Sequence, residues 1–583
     1  MSFEEMDVAT AALDKLDIDE TEPELDTPSE TESDEHPHTA ADMIAAYLTA
    51  LHYEGVREYT LNELLRLGSE GEAALVKEVQ NIVQSGAWKP VKANTLSDAQ
   101  RKEAITSFVF GKRKLNHSVK ARLVANGKQL PRRQEYQQLF SPTSNPMTTM
   151  VHLAVASYER RPIIFTADFP AAYLKVERKK YNMPIEHTRI TGTLLNVVLK
   201  AAPDYKKYVT PQGALYLQIM QSIYGLTESA ALWFRELRDL LLDEGFVQCI
   251  EADPCLFTHP VYGTIINIHV DDCLISCKTL EHVNTLHTFF TKHKCTIHVD
   301  EFLFLGMNIL RTDKGILVSM QSLLTDKMKQ WKIKGDEAFP HKTSLMNTDD
   351  SEPLGENDKA TYVSRCMALL YCGLRTRFDI LFTLSVLSQR CSNPTQKNME
   401  DLNHLLRYVN GTQHAQMLLD PSSLESHVYA DSSFMSHADR KGHTGVMVTM
   451  GEMGPVISAK STKQKMQASS STDGEIISAF ESVPQLRLVS SLLTVFGYPS
   501  VPILHQDNIS AIHMMENGRG TSKQTKHFQM RLNVLHELIK ADELRTQHTP
   551  DTQMPADLLT KPITGHKFTT FMNTLMGTPI DHS

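Results

Sequence analysis

Ile266-Asn267-Ile268-His269-Val270-Asp271-Asp272-Cys273 decides how this chain folds. Strand alternation puts Ile266, Ile268 and Val270 on one face and Asn267, His269 and Asp271 on the other. Thr264 to Cys277 therefore reads as a β-hairpin whose wet face ends in adjacent carboxylates. Two neighbouring acids alone say little. Asp349-Asp350 repeats them inside a polar stretch, 342–359, that reads as a solvated loop. A second apolar strand, Ile163 to Ala167, ends in Asp168 and is expected to run into a helix opening at Pro170-Ala171-Ala172. An unpaired carboxylate buried there is costly. A metal ion satisfies it, and Mg²⁺ prefers the hard oxygens that clustered aspartates supply. Helix capping is the plain alternative for Asp168.

Around these strands lie 583 residues, 41% of them apolar, enough for several cores and three to five globular units. The net charge of −10 is uneven. Residues 1–35 hold fourteen acids and one base, Lys15, so 36–583 carry about +3, a balance compatible with a polyanionic partner. No apolar run is long enough for a membrane span, and from the acidic N-terminus no secretory leader is expected. All eight cysteines lie between Cys249 and Cys391 without a Cys-x-x-Cys pair, as expected for reduced thiols in an intracellular, cytoplasmic protein. Residues 1–40 are acidic and expected to be disordered; 41–95 have helical spacing. Ser229 to Glu244 reads as an amphipathic helix carrying Trp233, Leu237, Leu240 and Leu241, and further helices fall between 360 and 410. From Ser426 an α/β layer begins, with strands at 427–434, 445–450, 456–460, 503–506 and 543–548. One long helix is expected from Thr472 to Phe496, and another from Asn508.

The landmarks fall in a fixed order. Lys120-Ala121-Arg122-Leu123-Val124-Ala125-Asn126-Gly127 precedes Asp168-Phe169-Pro170-Ala171-Ala172-Tyr173-Leu174. Tyr224-Gly225-Leu226-Thr227-Glu228-Ser229 with Trp233 follows, then His269-Val270-Asp271-Asp272 and Phe304-Leu305-Gly306-Met307. Thr376-Arg377-Phe378-Asp379-Ile380, Ser392-Asn393-Pro394-Thr395 and Leu406 to Thr412 continue the series. The chain, from roughly residue 60 to 565, resembles the reverse transcriptase of copia-type long-terminal-repeat retrotransposons. That resemblance implies an α+β right-hand polymerase: fingers and palm over 96–310, thumb or connection helices over 311–425. Asp168, Asp271 and Asp272 match the palm carboxylates that hold two Mg²⁺ ions, with Mn²⁺ as an alternative; two such ions activate a 3′-hydroxyl and hold the leaving phosphates. Lys120, Arg122, Ala171, Ala172, Tyr173 and Glu228 match nucleotide-binding positions, Tyr173 as the residue that excludes a ribose 2′-hydroxyl. Phe304, Leu305, Gly306 and Met307 match the primer contact. Three positions depart from the family. Leu226-Thr227-Glu228 replaces Leu-Lys-Gln, which adds negative charge beside phosphates; His269 replaces an aromatic residue; and Ala230-Ala231 replaces a basic one. These departures raise a second reading, a catalytically decayed or co-opted nucleic-acid-binding descendant.

The C-terminal layer, 426–566, resembles the ribonuclease H domain of the same elements. The resemblance rests on Tyr429-Ala430-Asp431-Ser432-Ser433, Ser470 to Glu475, Gln506 to Ile512, Thr525-Lys526-His527 and Ala556-Asp557-Leu558-Leu559-Thr560-Lys561. It implies two further Mg²⁺ ions on Asp431, Asp507, Asp557 and an acid at 473 or 475. Asp473 shares a helical stripe with Ile476, Ile477 and Phe480, whereas Glu475 lies about 200° away, so Asp473 is the expected ligand and Glu475 a solvated side chain. Lys523, Lys526 and Arg531 are candidates for backbone phosphates, and His548 for product release. Residues 567–583 are expected to be a tail. The implied partners are an RNA template, a DNA primer, an RNA–DNA hybrid and deoxynucleoside triphosphates, with no membrane and with element-encoded proteins as oligomeric partners. The chain is expected to be the terminal part of a polyprotein.

Overall fold

The computed structural model describes residues 59–113, 118–130, 141–519 and 528–577. The acidic segment 1–40 and the candidates Lys523, Lys526 and His527 lie outside them. The described residues form two compact units, whose boundaries cut across the span 96–310.

The first unit holds Glu54–Thr143 and Phe169–Phe246. Its helix Ser69–Gln84 presents Leu75, Val79 and Ile82 on one stripe, which packs with Leu123 of the hairpin Ser107–Arg113/Val119–Ala125 and with Val198 of helix Gly192–Ala201. A second small sheet places Ala214–Ile219 between Trp88–Val91 and His187–Thr191. Gly225, at φ +85°, brings its backbone onto the hairpin end; a Cβ there would lie 2.2 Å from the Ala125 carbonyl. Tyr224 O then accepts from Ala125 N at 2.8 Å. The segments around 122 and 226 are joined in this way.

The second unit holds Ser144–Asp168 and Val247–Ser583. Helix α1 (Pro146–Tyr158) starts with Pro146 behind an Asn145 cap. Strands β1 (Ile163–Asp168), β2 (Val247–Gln248), β3 (Leu256–Thr258), β4 (Ile265–His269), β5 (Asp272–Cys277) and β6 (Thr296–Val299) form one antiparallel sheet in the order β6-β1-β5-β4-β3-β2. The face of β4 expected to be wet is dry. Asn267 is fully buried, accepting from Ser144 Oγ at 2.7 Å and donating to Thr149 Oγ1 at 2.9 Å. Alternation finds two faces but cannot tell that helix α1 also covers the polar one.

A four-stranded sheet follows from β7 (Glu301–Phe304), β8 (Met307–Arg311), β9 (Ile316–Ser319) and a later strand, Gln416–Leu419. Between the last two lie helices α2 (Gln321–Trp331), α3 (Glu356–Gly373), α4 (Leu381–Ser388) and α5 (Gln396–Gly411). Asp349 is not simply solvated. Its carboxylate accepts from Ser351 N and Oγ, Thr395 Oγ1 and Asn398 Nδ2 at the start of α5. These bonds hold it at about 2 against the opposing effect of burial. Asp350 is exposed.

The last layer comprises β10 (Ser426–Ser433), β11 (His443–Met450), β12 (Val456–Lys463), β13 (Ile503–Gln506) and β14 (Arg545–His548), in the order β12-β11-β10-β13-β14. Its first three strands are antiparallel, and β13 and β14 add in parallel. The single helix expected over 472–496 is two, α6 (Ser471–Glu481) and α7 (Val483–Val495). Pro484, which lacks an N–H and crowds the preceding turn, starts the second. Nor do residues 567–576 form a tail. Helix α8 (Gly565–Met576) buries Phe568, Phe571, Met572 and Leu575, with the Phe568 ring 5.7 Å from Phe339 and 6.3 Å from Tyr408. Their i, i+3, i+4, i+7 spacing is an ordinary amphipathic stripe.

Candidate functional sites

The hairpin turn between β4 and β5 is two residues long, since His269 pairs with Asp272. Val270 takes φ +56° there, an uncommon conformation for a β-branched side chain. Asp272 stands directly opposite Asp168 across β5 and β1. Such cross-strand neighbours share a face with Cβ atoms about 5 Å apart. Asp271 is buried at the turn. The Cys273 thiol beneath is pushed up by burial, with smaller contributions from Cys295 and from all three aspartates. Hence one sheet end carries Asp168, Asp271 and Asp272.

His269 is held neutral. Burial and then the Arg375 charge bring it down to about 4, so it offers an uncharged ring. Arg375 stacks 3.5 Å over Tyr371, whose hydroxyl donates to Leu305 O at 3.0 Å. Phe304, Leu305 and Met307 are buried, and Gly306 turns at φ +73° against Tyr371. Of the four positions expected to touch a primer, three therefore point their side chains into the protein.

In the first unit Arg122 is buried and stacks 4.0 Å over Tyr224, whose ring lies 5.0 Å from that of the buried Tyr173. Lys120 is half-buried and pairs across the hairpin with Lys112. Pro170 and Ala171 do not open an α-helix. Ala171 is left-handed at φ +51°, and Ala172–Lys175 form one 3₁₀ turn. The expected negative charge of Glu228 is compensated. This residue is fully buried and ion-paired with Arg178, itself buried. Fifty residues separate the two, beyond the reach of local pattern.

The C-terminal sheet assembles a second set of carboxylates. Asp431, Glu475 and Asp507 each place a ligand oxygen within 4.8 Å of the others. Asp473 is not among them, and Glu475 is not solvated. Residues 473–479 of α6 are all buried, so the helical stripe had no wet alternative there. Gly474 permits the approach, because a Cβ there would lie 2.7 Å from Ser432 Oγ. Glu475 Oε1 then accepts from Ser432 N and Oγ at 3.3 and 2.8 Å. Its Oε2 is buried without a well-formed hydrogen bond. Asp473 accepts from Ser469 Oγ and donates its N–H to Ser470 Oγ, an N-terminal cap. The sequence clue to Glu475 was Gly474.

Burial, and next the Asp431 and Asp507 charges, push Glu475 well up. Asp431 is raised to about 7, first by burial and against the Lys561 charge. Asp507 is also raised, first by burial. Asp557 is fully buried but tied to lysines: Lys561 and Lys567 both donate to it and lower its pKa despite burial. Gly445, opposite Asp431, makes room for this segment, since a Cβ there would lie 2.8 Å from Ala556 O. Arg531 sits 5.3 Å over the Phe480 ring, and His548 is exposed. Three hard oxygen donors, with a buried oxygen of Glu475 left over, fit a divalent cation such as Mg²⁺.

Two carboxylate sets thus stand on separate sheets, one at a two-residue hairpin turn and one in the C-terminal layer. Residues 92–343 match the family model described as "Reverse transcriptase (RNA-dependent DNA polymerase)". Over most of its length it is similar to copia-type Pol polyproteins. It is 27% identical over 470 residues to the retrovirus-related Pol polyprotein from transposon RE1 of Arabidopsis thaliana, covering 78% of this chain and 30% of that polyprotein. With transposon TNT 1-94 of Nicotiana tabacum it shares 24% over 466 residues, 77% of this chain and 33% of the relative. With the Ty1-NL2 Gag-Pol polyprotein of Saccharomyces cerevisiae it shares 22% over 551 residues, 90% of this chain and 30% of the relative. The chain thus spans about a third of these relatives. Among solved structures, a foamy viral protease-reverse transcriptase complexed with double-stranded DNA is similar at 12% identity and a TM-score of 0.47, covering 83% of this chain and 70% of that one. A ribonuclease H1, LC11, matches 24% of this chain and 93% of its own at 14% identity and a TM-score of 0.20.

Proposed function

We propose that this chain copies RNA into DNA and cleaves the RNA strand of the resulting hybrid. The observation that carries this reading is the pairing of Asp168 with Asp272, beside Asp271, inside a matched reverse transcriptase domain. Asp168, Asp271 and Asp272 would hold two Mg²⁺ ions in the palm, and Asp431, Glu475 and Asp507 the nuclease metal. When bound, such ions lower the pKa of the attacking hydroxyl or water and neutralise charge on the phosphates. The protein supplies the rest. The short turn at Val270-Asp271 fixes one carboxylate beside the cross-strand pair. The neutral His269 ring keeps a second positive charge out of its layer with Arg375. Lys120 or Arg122, at the positions matched to the nucleotide site, would supply a cation to triphosphate oxygens. Ser432 orients Glu475 through its N–H and hydroxyl. The substrates on this reading are an RNA template, a DNA primer, deoxynucleoside triphosphates and an RNA–DNA hybrid, handled inside the cell. The decayed alternative loses its strongest motive, because Arg178 neutralises Glu228.

Primer extension on an RNA template with Mg²⁺ tests the polymerase. The wild-type chain should extend, and Asp271→Asn should not. Absence of Mg²⁺-dependent extension by a folded wild-type chain leaves only nucleic-acid binding.

A further inference from the structure

Lys561 stands at the nuclease carboxylates with no assigned role. Its Nζ donates to Asp557 and lies 3.4 Å from Asp431 Oδ2, so one ammonium bridges two carboxylates that are each 1% exposed. Thr560 Oγ1 donates to the same Asp431 oxygen, and Lys567 Nζ holds Asp557 from the other side and also reaches Asp551 at 3.1 Å. The two lysines are not equivalent. Only Lys561 links Asp557 to Asp431, and its side chain is 37% exposed, with solvent into which the ammonium can turn. Lys567 would still neutralise Asp557 after that turn. An ammonium between two buried carboxylates occupies the electrostatic position a divalent cation would take, and the two compete for the same oxygens.

We infer that Lys561 is a resident counter-cation of the nuclease site, filling the Asp431–Asp557 position and confining metal binding in the free protein to the Asp431–Glu475–Asp507 side. A second divalent ion must then displace the ammonium, so full metal loading is coupled to an event that draws Lys561 away. A substrate phosphate, which a lysine favours as a point charge, is the chemical class suited to do so. The inference rests on the reading of Asp431, Glu475 and Asp507 as metal ligands.

Calorimetric titration of Mn²⁺ into the full chain, without nucleic acid, tests it. Lys561→Met should bind one more ion per chain than the wild type, and Lys561→Arg should titrate like the wild type. Lys561→Gln, which keeps a hydrogen bond to Asp557 without the charge, should match Lys561→Met and provides a second variant should the methionine perturb folding. Equal stoichiometry for the wild type and a folded Lys561→Gln chain overturns the inference. The metal reading itself fails separately if Asp431→Asn with Glu475→Gln leaves wild-type Mn²⁺ binding unchanged.

Discussion

At the scale of single residues, Glu228 shows how a local comparison misleads. Against the family pattern that the sequence resembles, the glutamate suggests a damaged nucleotide site. In the fold it is buried against Arg178, and each charge makes the other tolerable. Restoring the family residue should therefore harm this protein. Glu228→Gln strands a buried guanidinium and should cost about 3–5 kcal/mol of stability, measured by urea unfolding. The double variant Glu228→Gln/Arg178→Met should recover most of that loss. A single variant as stable as the wild type contradicts the pairing.

At the scale of elements, helix α6 decides the C-terminal carboxylate cluster. Its apolar positions told correctly that it packs on a sheet, but not that every residue from 473 to 479 would be buried. Glu475→Gln should bring RNA-strand cleavage of a hybrid to background while leaving primer extension intact. Asp473→Asn should keep cleavage and cost only part of an N-terminal cap, about 1 kcal/mol. Cleavage assays on the two variants check this, and the reverse outcome would return the role to Asp473. The palm hairpin was legible because strand alternation and a two-residue turn are local; the cover of α1 over Asn267 was not, since those residues lie more than a hundred positions away.

At the scale of the second unit, the last layer is docked on the palm helix through polar and aromatic contacts. Tyr498 Oη donates to Glu159 at 2.7 Å, Arg161 and Lys278 pair with the same carboxylate, and Tyr158 meets Tyr498 edge-on. This unit also buries neutral histidines: His282 and His341 are lowered to about 4, and His505 to about 3, each mainly by burial. The unfolded chain takes up these protons first. Their contribution is therefore present above pH ~6.5 and lost as pH falls towards 4, by up to about 1.4 kcal/mol per pH unit for each histidine. Asp431 acts in the opposite sense. Raised to about 7, it contributes below about pH 4 and loses that contribution as pH rises through 7. Without added metal, thermal stability should peak near pH 6.5. Added Mg²⁺ should raise the melting temperature more at pH 8 than at pH 6, because binding requires the deprotonated carboxylates. Calorimetric scans over pH 5–8 measure both effects, and a metal response independent of pH would count against them.

By itself the sequence determined the resemblance to copia-type Pol polyproteins, the carboxylate-bearing hairpin and the strands of the final layer. Each depends on periodicity, turn residues and motif order, which are properties of neighbouring letters. The tertiary structure alone decided that Glu475 rather than Asp473 joins Asp431 and Asp507, that Arg178 answers Glu228, and that Lys561 bridges Asp431 and Asp557. Burial and charge pairing arise from segments distant in the chain, and the free energy of a carboxylate depends on what surrounds it.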